Sequence, residues 1–346
     1  MKKIQILLCA ALCTTLLLCG CGKKASAPRR AESAGEASAS VAPTAWQQTE
    51  SENGDVIATV NGEQILRSDI GYYIYNNAVI ELGKAQGGST DAVSGISAFD
   101  WDAEKSSGMT YKESVMTAAV DDAINDLVFR MTAESKGYDV VTAENESSKT
   151  IDSAIEASGE GKILGNIRLL GISDIDEYKK VYTNISIFEG VAKEFSENPN
   201  KYIDDIDVLS EFTGTKGASV QSILIPGDAE NADVTAAAAA ERAKSSEDFA
   251  RLMKEYNKDS GETEAGYTFP EGEVEADFEK AAFALKIGEV SDVVTADGGY
   301  YIIKRIAGAY ELQNYWRSLS DVTISENAYD TAAFDEVVRG IDAALE

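Results

Sequence analysis

The stretch FEKAAFALKIGEVSDVV, from Phe278 to Val294, is followed closely by GGYYIIKR, from Gly298 to Arg305. The first stretch has the apolar spacing of a short helix that ends before Gly288 and leads into a strand. The second alternates like a strand, and Asp297-Gly298 between the two is a tight hairpin signal. These segments predict a helix that packs on a small antiparallel sheet.

The segments before this stretch extend the same small unit. The run 218–225 alternates like a strand, an alanine-rich helix is predicted over 234–244, and EDFARLMKEY begins another helix at 247. Strands and short helices in this order are typical of an α+β domain of about 95 residues.

Helical periodicity dominates the rest of the chain. Asn61-Gly62 in ATVNGEQILRSDI predicts a hairpin, and Thr110 with Glu113 has the form of a capping box before a long helix. A last amphipathic helix over 330–345 is predicted to return to this helical region. The predicted fold is therefore α+β: a mostly helical domain with an inserted small antiparallel sheet flanked by helices.

The N-terminal residues have the pattern of a secreted, lipid-anchored protein. Lys2 and Lys3 precede an apolar run of signal-peptide length, which ends in Leu18-Cys19-Gly20-Cys21. This ending resembles a bacterial lipobox, which implies cleavage before Cys21 and lipidation of its thiol. An ordinary signal peptide or a transmembrane anchor is the alternative, but the run is short for a full span.

Composition excludes several kinds of chemistry. The chain has no histidine, which removes Ser-His triads, histidine-ligated zinc and imidazole acid–base catalysis. Its four cysteines all lie at or before Cys21, so the folded part is predicted to have no disulfide and no thiol chemistry. A net charge of −28 makes nucleic acid an unfavourable partner. No cofactor or metal is implied.

The segments SILIP, EDFARLMKEYNKDSG, FEKAAFALKIGEVSDVV and GGYYIIKR, in this order, resemble the parvulin family of peptidyl-prolyl isomerases. ATVNGEQILRSDI resembles the opening of the chaperone domain in PrsA- and SurA-type foldases. Together with the lipobox, the chain resembles a PrsA-type foldase lipoprotein of a Gram-positive cell surface. The resemblance implies an extracytoplasmic, membrane-anchored chaperone whose partners are unfolded or proline-containing secreted polypeptides.

The resemblance also divides the chain. Residues 1–20 are the predicted lipoprotein signal peptide, 21–53 a disordered tether, 54–212 the first part of the helical chaperone domain, 213–307 the parvulin-like domain, and 308–346 the C-terminal helix that completes the chaperone domain.

Carried over residue by residue, the parvulin site is altered. The two family histidines fall on Ser222 and Tyr301, and the acidic or cysteine position falls on Asp259. These three residues are the predicted catalytic network, because hydroxyl groups can both donate and accept hydrogen bonds.

The predicted proline pocket is altered as well. Its aromatic wall falls on Phe278, the family methionine is replaced by Val274, and a shortened glycine loop, AGYTF, places Phe269 beside them.

Two interpretations of this altered site remain open. Rotation about a prolyl amide breaks no bond to the proline, so a rebuilt Ser222–Asp259–Tyr301 network beside an apolar pocket is chemically sufficient. Alternatively the network has decayed, and the domain is a non-catalytic holdase or assembly scaffold. A solute-binding lipoprotein is less consistent with the sequence, which lacks repeated parallel-strand patterns.

Three tyrosines of the first predicted helix have two interpretations. Tyr72, Tyr73 and Tyr75 can line a groove for client polypeptides, or they can pack in the core with some at its rim.

Overall fold

The computed structural model describes residues 55–86, 92–105, 108–214, 216–245, 248–259 and 266–345. The predicted signal peptide, Cys21 and the tether lie outside the described residues.

The described chain contains eleven α-helices and seven strands. The helices are α1 (Gly71–Gln86), α2 (Ala92–Ala98), α3 (Tyr111–Ser135), α4 (Val140–Ser158), α5 (Glu160–Arg168), α6 (Ile175–Glu197), α7 (Ala232–Lys244), α8 (Phe249–Tyr256), α9 (Ala276–Ala284), α10 (Ala309–Leu319) and α11 (Ala332–Leu345). The strands are β1 (Val56–Val60), β2 (Glu63–Leu66), β3 (Gly217–Pro226), β4 (Tyr267–Pro270), β5 (Val294–Ala296), β6 (Gly299–Ile306) and β7 (Val322–Ile324).

The strands form two separate antiparallel sheets. One has the order β2-β1-β7 and the other the order β4-β3-β6-β5. In the first hairpin, Asn61 and Gly62 both have positive φ, 49° and 92°, as a tight two-residue turn requires. With helices forming most of the remaining structure, the predicted α+β class is confirmed.

The buried apolar residues form three clusters, a large one that includes the first sheet and two smaller ones that pack on the four-stranded sheet. One large cluster contains residues from β1 to Leu209 and again from α10 to Ile341. Two smaller clusters lie on opposite faces of the four-stranded sheet, one against α7 and α8 and the other against α9. Residues 309–345 thus complete a core that begins far earlier in the chain, as the amphipathic pattern of the last helix predicts.

The first sheet is closed by pairing of distant segments. Strand β7 pairs with β1 through Ala58–Ile324, Thr59–Thr323 and Val60–Val322. The backbone amide of Asn61 also donates to the carbonyl of Asp321 at 2.8 Å. The helical core is therefore stabilised by pairing between a segment that precedes the four-stranded sheet in the sequence and a segment that follows it.

A fully buried ion pair joins the two regions where β6 leads into α10. Arg305 and Glu311 are both 0% exposed, and the guanidinium pairs with the carboxylate. Arg305 Nη1 also donates to the carbonyl oxygen of Ala282 at 3.0 Å, and Glu311 Oε2 accepts from the Gly308 amide at 3.0 Å. The pair thus connects α9, β6 and the first turn of α10.

The predicted capping box is present at the start of α3. Thr110 Oγ1 accepts from the Glu113 amide at 3.2 Å, and Glu113 Oε2 accepts from the Thr110 amide at 2.8 Å. We expect Thr110→Ala to lower the free energy of unfolding by about 1 kcal/mol, because the cap that satisfies the first-turn amides is lost.

Urea titration followed by circular dichroism measures this effect. Thr150→Ala is the control, because Thr150 is exposed inside α4 and alanine is the better helix former. Equal destabilisation by the two changes would contradict a capping role for Thr110.

The abundance of Gly and Ser over residues 84–108 predicts a loop, and this prediction is wrong in part. The Gly- and Ser-rich region 84–108 contains α2, Ala92–Ala98, in which Ile96 is fully buried and accepts a hydrogen bond from the Trp101 indole at 2.7 Å. Tertiary packing around Trp101 overrides the poor helix propensity of this segment. Within the residues described, no helix combines the length and the apolarity that crossing a bilayer requires.

Candidate functional site

The register of the four-stranded sheet places two predicted catalytic residues on one face. Strands β3 and β6 pair antiparallel, with Ser222 opposite Ile303 and Leu224 opposite Tyr301. Because side chains alternate along a strand, Ser222, Leu224 and Tyr301 all point toward α9. Ser222 and Tyr301 are almost fully buried, and the Tyr301 hydroxyl donates to the carbonyl of Asp297 at 3.0 Å.

The third predicted catalytic residue, Asp259, lies in a segment that is hydrogen-bonded to β3. The Lys258 amide donates to the Leu224 carbonyl at 3.0 Å, and Asn257 Oδ1 accepts from the amides of Leu224 and Asp259 at 2.8 and 3.1 Å. Segment 257–259 is thereby bound to β3 two residues beyond Ser222. The fold thus brings the segment that contains Asp259 to the strand that carries Ser222, and the catalytic role of Ser222, Asp259 and Tyr301 stays a prediction.

The predicted substrate-binding residues form an aromatic cluster, made of the rings of Tyr267, Phe269, Phe278 and Tyr301. Phe278 is 1% exposed, and its ring lies 5.3 Å from that of Tyr301, 6.1 Å from Phe269 and 6.3 Å from Tyr267, measured between centroids. Val274 packs on this cluster, half-buried.

The aromatic cluster is filled by the protein's own side chains. The Phe278 side chain is buried and does not line the large cavity where the helical core meets the four-stranded sheet. A client proline can therefore reach Phe278 only if neighbouring rings move. The assignment of Phe278, Val274 and Phe269 to substrate binding stays a prediction.

A large cavity lies elsewhere, where the helical core meets the four-stranded sheet. This junction cavity has a volume of about 600 Å³. Its walls come from α1, α3, α6 and α10 on one side and from β3, β4 and the end of β6 on the other. Its aromatic lining residues are Tyr72, Tyr73, Phe188, Phe195, Tyr267 and Tyr310. Such a volume and lining fall within the range of ligand-binding clefts.

The three tyrosines of α1 are predicted either to line a groove or to pack in the core, and the structure shows both arrangements. Tyr72 and Tyr73 line the junction cavity and are nevertheless mostly buried, whereas Tyr75 packs against the helical core.

Helix α3 contributes polar side chains to the wall of the junction cavity, among them Asp126. The Tyr73 hydroxyl donates to Asp126 Oδ2 at 2.8 Å and is also hydrogen-bonded by the Asn184 side chain. Burial, together with the nearby Asp122 carboxylate and against the lowering effect of the Tyr73 hydrogen bond, raises the pKa of Asp126 to about 7. Asp126 therefore changes its charge near neutral pH.

Asp122, one turn earlier, has a basic partner. Its Oδ1 lies 3.4 Å from Lys216 Nζ, and its Oδ2 accepts from Asn77 Nδ2 at 2.7 Å. Burial raises the pKa of Asp122 in spite of this lysine. Lys216 directly precedes β3, so the ion pair links the two sides of the junction cavity; Lys84 and Glu271, 2.7 Å apart, form a second link.

Sequence reasoning missed these polar residues. Asp122 and Asp126 are four residues apart and interleave with the buried alanines Ala119 and Ala123, so they lie on a helix face that is partly inside the protein. The spacing of these aspartates among buried alanines was the signal in the sequence that could have identified them. It could not show that Asn184 and Lys216, far away in sequence, would converge on the same face.

Residues 208–309 match the family described as the PPIC-type PPIASE domain. The foldase protein PrsA of Bacillus subtilis (strain 168) is 29% identical over 168 residues, which cover 48% of this chain and 56% of that protein. The foldase protein PrsA of Caldanaerobacter subterraneus subsp. tengcongensis is 26% identical over 258 residues, 74% of each chain. Residues 208–309 thus match a PPIC-type domain, and the predicted resemblance to PrsA-type foldases is confirmed.

Among solved structures, the crystal structure of PrsA from Bacillus subtilis matches with 23% identity, covering 70% of this chain and 91% of that one, at a TM-score of 0.25. The chain spans little more than half the length of the first curated relative it matches.

Proposed function

We propose that this chain, whose residues 208–309 are a PPIC-type domain, is a foldase that binds unfolded polypeptides and isomerises their prolyl bonds slowly. The observation that carries the proposal is the match to the PPIC-type domain, supported by Ser222 and Tyr301 on one face of its sheet and by segment 257–259 hydrogen-bonded to β3. Unfolded chains are the class of partner on which prolyl isomerisation limits folding.

The junction cavity is the proposed client-binding site. Unfolded chains expose apolar side chains, and the junction cavity offers aromatic walls beside polar groups that can bond to a peptide backbone. Its walls come from both the helical core and the PPIC-type domain, so a bound segment would contact both.

The closed aromatic cluster supports the reduced isomerase rate. Catalysis of amide rotation needs an apolar pocket that holds the proline ring and excludes water. Here the space around Phe278 is occupied by Tyr267, Phe269 and Tyr301, so opening it requires displacement of packed rings. The same observation favours a second candidate, a non-catalytic holdase of the same fold.

The location and domain division extend the proposal. We infer an extracytoplasmic protein anchored through lipidated Cys21, with residues 1–20 removed and 21–53 as a tether, on the sequence pattern alone. The division at 54–212, 213–307 and 308–346 is supported by the core clusters, which change near the same positions.

Two assays on the purified chain test the function. We expect a stoichiometric amount to suppress aggregation of a denatured client, and to accelerate isomerisation of a Xaa-Pro peptide only weakly in a protease-coupled assay. Asp259→Ala should remove this acceleration and leave the suppression of aggregation intact, with Asp292→Ala, an exposed aspartate next to β5, as the matched control.

The outcomes separate the candidates. An isomerisation rate equal to the uncatalysed rate would leave only the holdase. Unchanged client aggregation would remove the foldase proposal altogether.

A further inference from the structure

Asp126 is a carboxylate on the wall of the junction cavity. Its Oδ2 is held by the Tyr73 hydroxyl. Among the residues that the structure describes, no lysine or arginine contributes to the pKa of Asp126. Asn184 on the same wall has an amide oxygen that is buried and lacks any partner within the described chain. Asp126 and Asn184 both hydrogen-bond to the Tyr73 hydroxyl. The cavity wall there therefore has an ionisable acceptor, the Asp126 carboxylate, and a buried acceptor with no partner in the described chain, the Asn184 amide oxygen.

The charges around the junction cavity are strongly unbalanced. Six carboxylates line it: Asp122, Asp126, Glu189, Glu197, Glu271 and Glu273. Within the described part of the chain only two cations line it, Lys193 and Lys216. Lys216 is paired with Asp122 and Glu271 is paired with Lys84, which lies outside the lining, so the carboxylates remain in excess. Low-dielectric walls concentrate the field of such an excess, so positively charged groups are attracted into the cavity.

Aromatic rings lie on the same walls as the carboxylates. The rings of Phe188 and Tyr310 pack 4.8 Å apart, and both line the junction cavity together with Tyr72. Aromatic faces attract ammonium and guanidinium groups, and they also cover the methylene stems of lysine and arginine.

We propose that the junction cavity recognises unfolded segments in which a lysine or arginine lies next to an apolar residue, with the cation bound by Asp126. The inference rests on the proposed foldase function and names the class of client segment. Oδ1 of Asp126 is the acceptor left for the cation, and the Asn184 amide oxygen supplies a second acceptor. The aromatic walls take the neighbouring apolar side chain.

The ionisation of Asp126 gives this recognition a pH dependence. The groups around Asp126 are Tyr72 and Tyr73 from α1, Asp122 from its own helix, Asn184 from α6 and Tyr310 from α10. Of these groups, Asp122 alone is a carboxylate, and it is paired with Lys216. Because the pKa of Asp126 is raised to about 7, binding of cationic segments should weaken as the pH falls from about 8 to about 6.

Fluorescence anisotropy with labelled disordered peptides tests the proposal on the intact chain. The peptides share one apolar sequence and carry lysine, glutamine or glutamate at the same flanking position. Above the pKa of Asp126 we expect the lysine peptide to bind about tenfold more tightly than the glutamine peptide, the scale of a charge-assisted hydrogen bond. The glutamate peptide should bind more weakly still.

The variant Asp126→Asn should abolish the preference for lysine over glutamine and its pH dependence. The introduced amide oxygen can still accept from the Tyr73 hydroxyl, so the wall keeps its shape. Asp121→Asn is the matched control, since Asp121 is on the same helix but does not line the junction cavity. It should change no affinity by more than about twofold, as expected for an uninvolved surface charge.

A stability measurement excludes misfolding as the cause. The folded-state pKa of Asp126 lies above its unfolded value of about 4, so this group destabilises the fold as the pH rises through that interval. Asp126→Asn removes the effect and should unfold at the same or a higher temperature than the parent protein at the alkaline end of the binding series. A variant that is at least as stable but has lost the lysine preference is the expected result.

Other results would overturn the inference. Equal binding of lysine and glutamate peptides, with suppression of aggregation intact, would remove cation recognition and leave the foldase proposal standing. If Asp126→Asn weakens the binding of all three peptides equally, Asp126 has a purely structural role. If no peptide binds and aggregation is not suppressed, the foldase proposal fails instead.

Discussion

Arg305→Met is expected to lower the free energy of unfolding by about 3–5 kcal/mol, because it leaves the Glu311 carboxylate buried without its cation. Both side chains are completely inaccessible to solvent. The guanidinium is also bound to the carbonyl of Ala282, so the loss reaches α9 as well as the start of α10. The change therefore weakens the connection between the four-stranded sheet and the helical core.

Urea titration followed by circular dichroism is the appropriate measurement. The chain has no tryptophan between residues 213 and 307, so tryptophan fluorescence would miss unfolding of the PPIC-type domain. The double variant Arg305→Met/Glu311→Leu should recover much of the loss, since no unpaired charge remains. Arg339→Met, at an exposed position of α11, should change stability by no more than about 0.5 kcal/mol. A single Arg305→Met variant as stable as the Arg339→Met control would refute this account.

Phe278→Ala is expected to cost about 3–5 kcal/mol, the range for truncation of a buried aromatic residue. Phe278 contacts three other rings of the aromatic cluster, which come from β4 and β6, so its removal opens a cavity between α9 and the sheet. The same titration measures the loss. Tyr329→Ala, at a residue that is 41% exposed, is the control for removal of an aromatic side chain at the surface.

A milder variant distinguishes packing from substrate binding. Phe278→Leu retains most of the apolar volume and should cost less than about 1.5 kcal/mol. If Phe278 acts only in packing, this variant keeps the weak isomerase rate of the parent chain. A stable Phe278→Leu protein with no isomerase activity would instead assign the ring to the proline pocket.

Local signals predicted the elements that depend on local chemistry. The Asn61-Gly62 turn needs two positive φ values, and the capping box at Thr110 needs two residues three apart, so both are visible in a short window. Alternation predicts that β3 and β6 are strands, but only their register places Ser222 and Tyr301 on one face. The start of α6 is less sharply marked, because Ser173 and Asp174 are both residues that favour N-caps; the sequence pattern favours Ser173, whereas Asp174 is the cap.

Features made by distant segments could not be predicted in this way. Strand β7 has only three residues, and its pairing with β1 joins opposite ends of the described chain. The burial of Phe278 depends on rings from β4 and β6, and the junction cavity depends on residues from Tyr72 to Gln313. Neither exposure nor concavity has a periodic signal in the sequence.

The closure of the first sheet by β7 has a consequence for synthesis on the ribosome. The chain emerges from its N-terminal side, so β1 and helices α1 to α6 are made long before β7, α10 and α11 can cover them. The PPIC-type domain contains all strands of its own sheet between residues 217 and 306 and can fold during elongation. The nascent helical region therefore exposes apolar surface until the last segments arrive, and for that interval this protein resembles the unfolded chains it is proposed to bind.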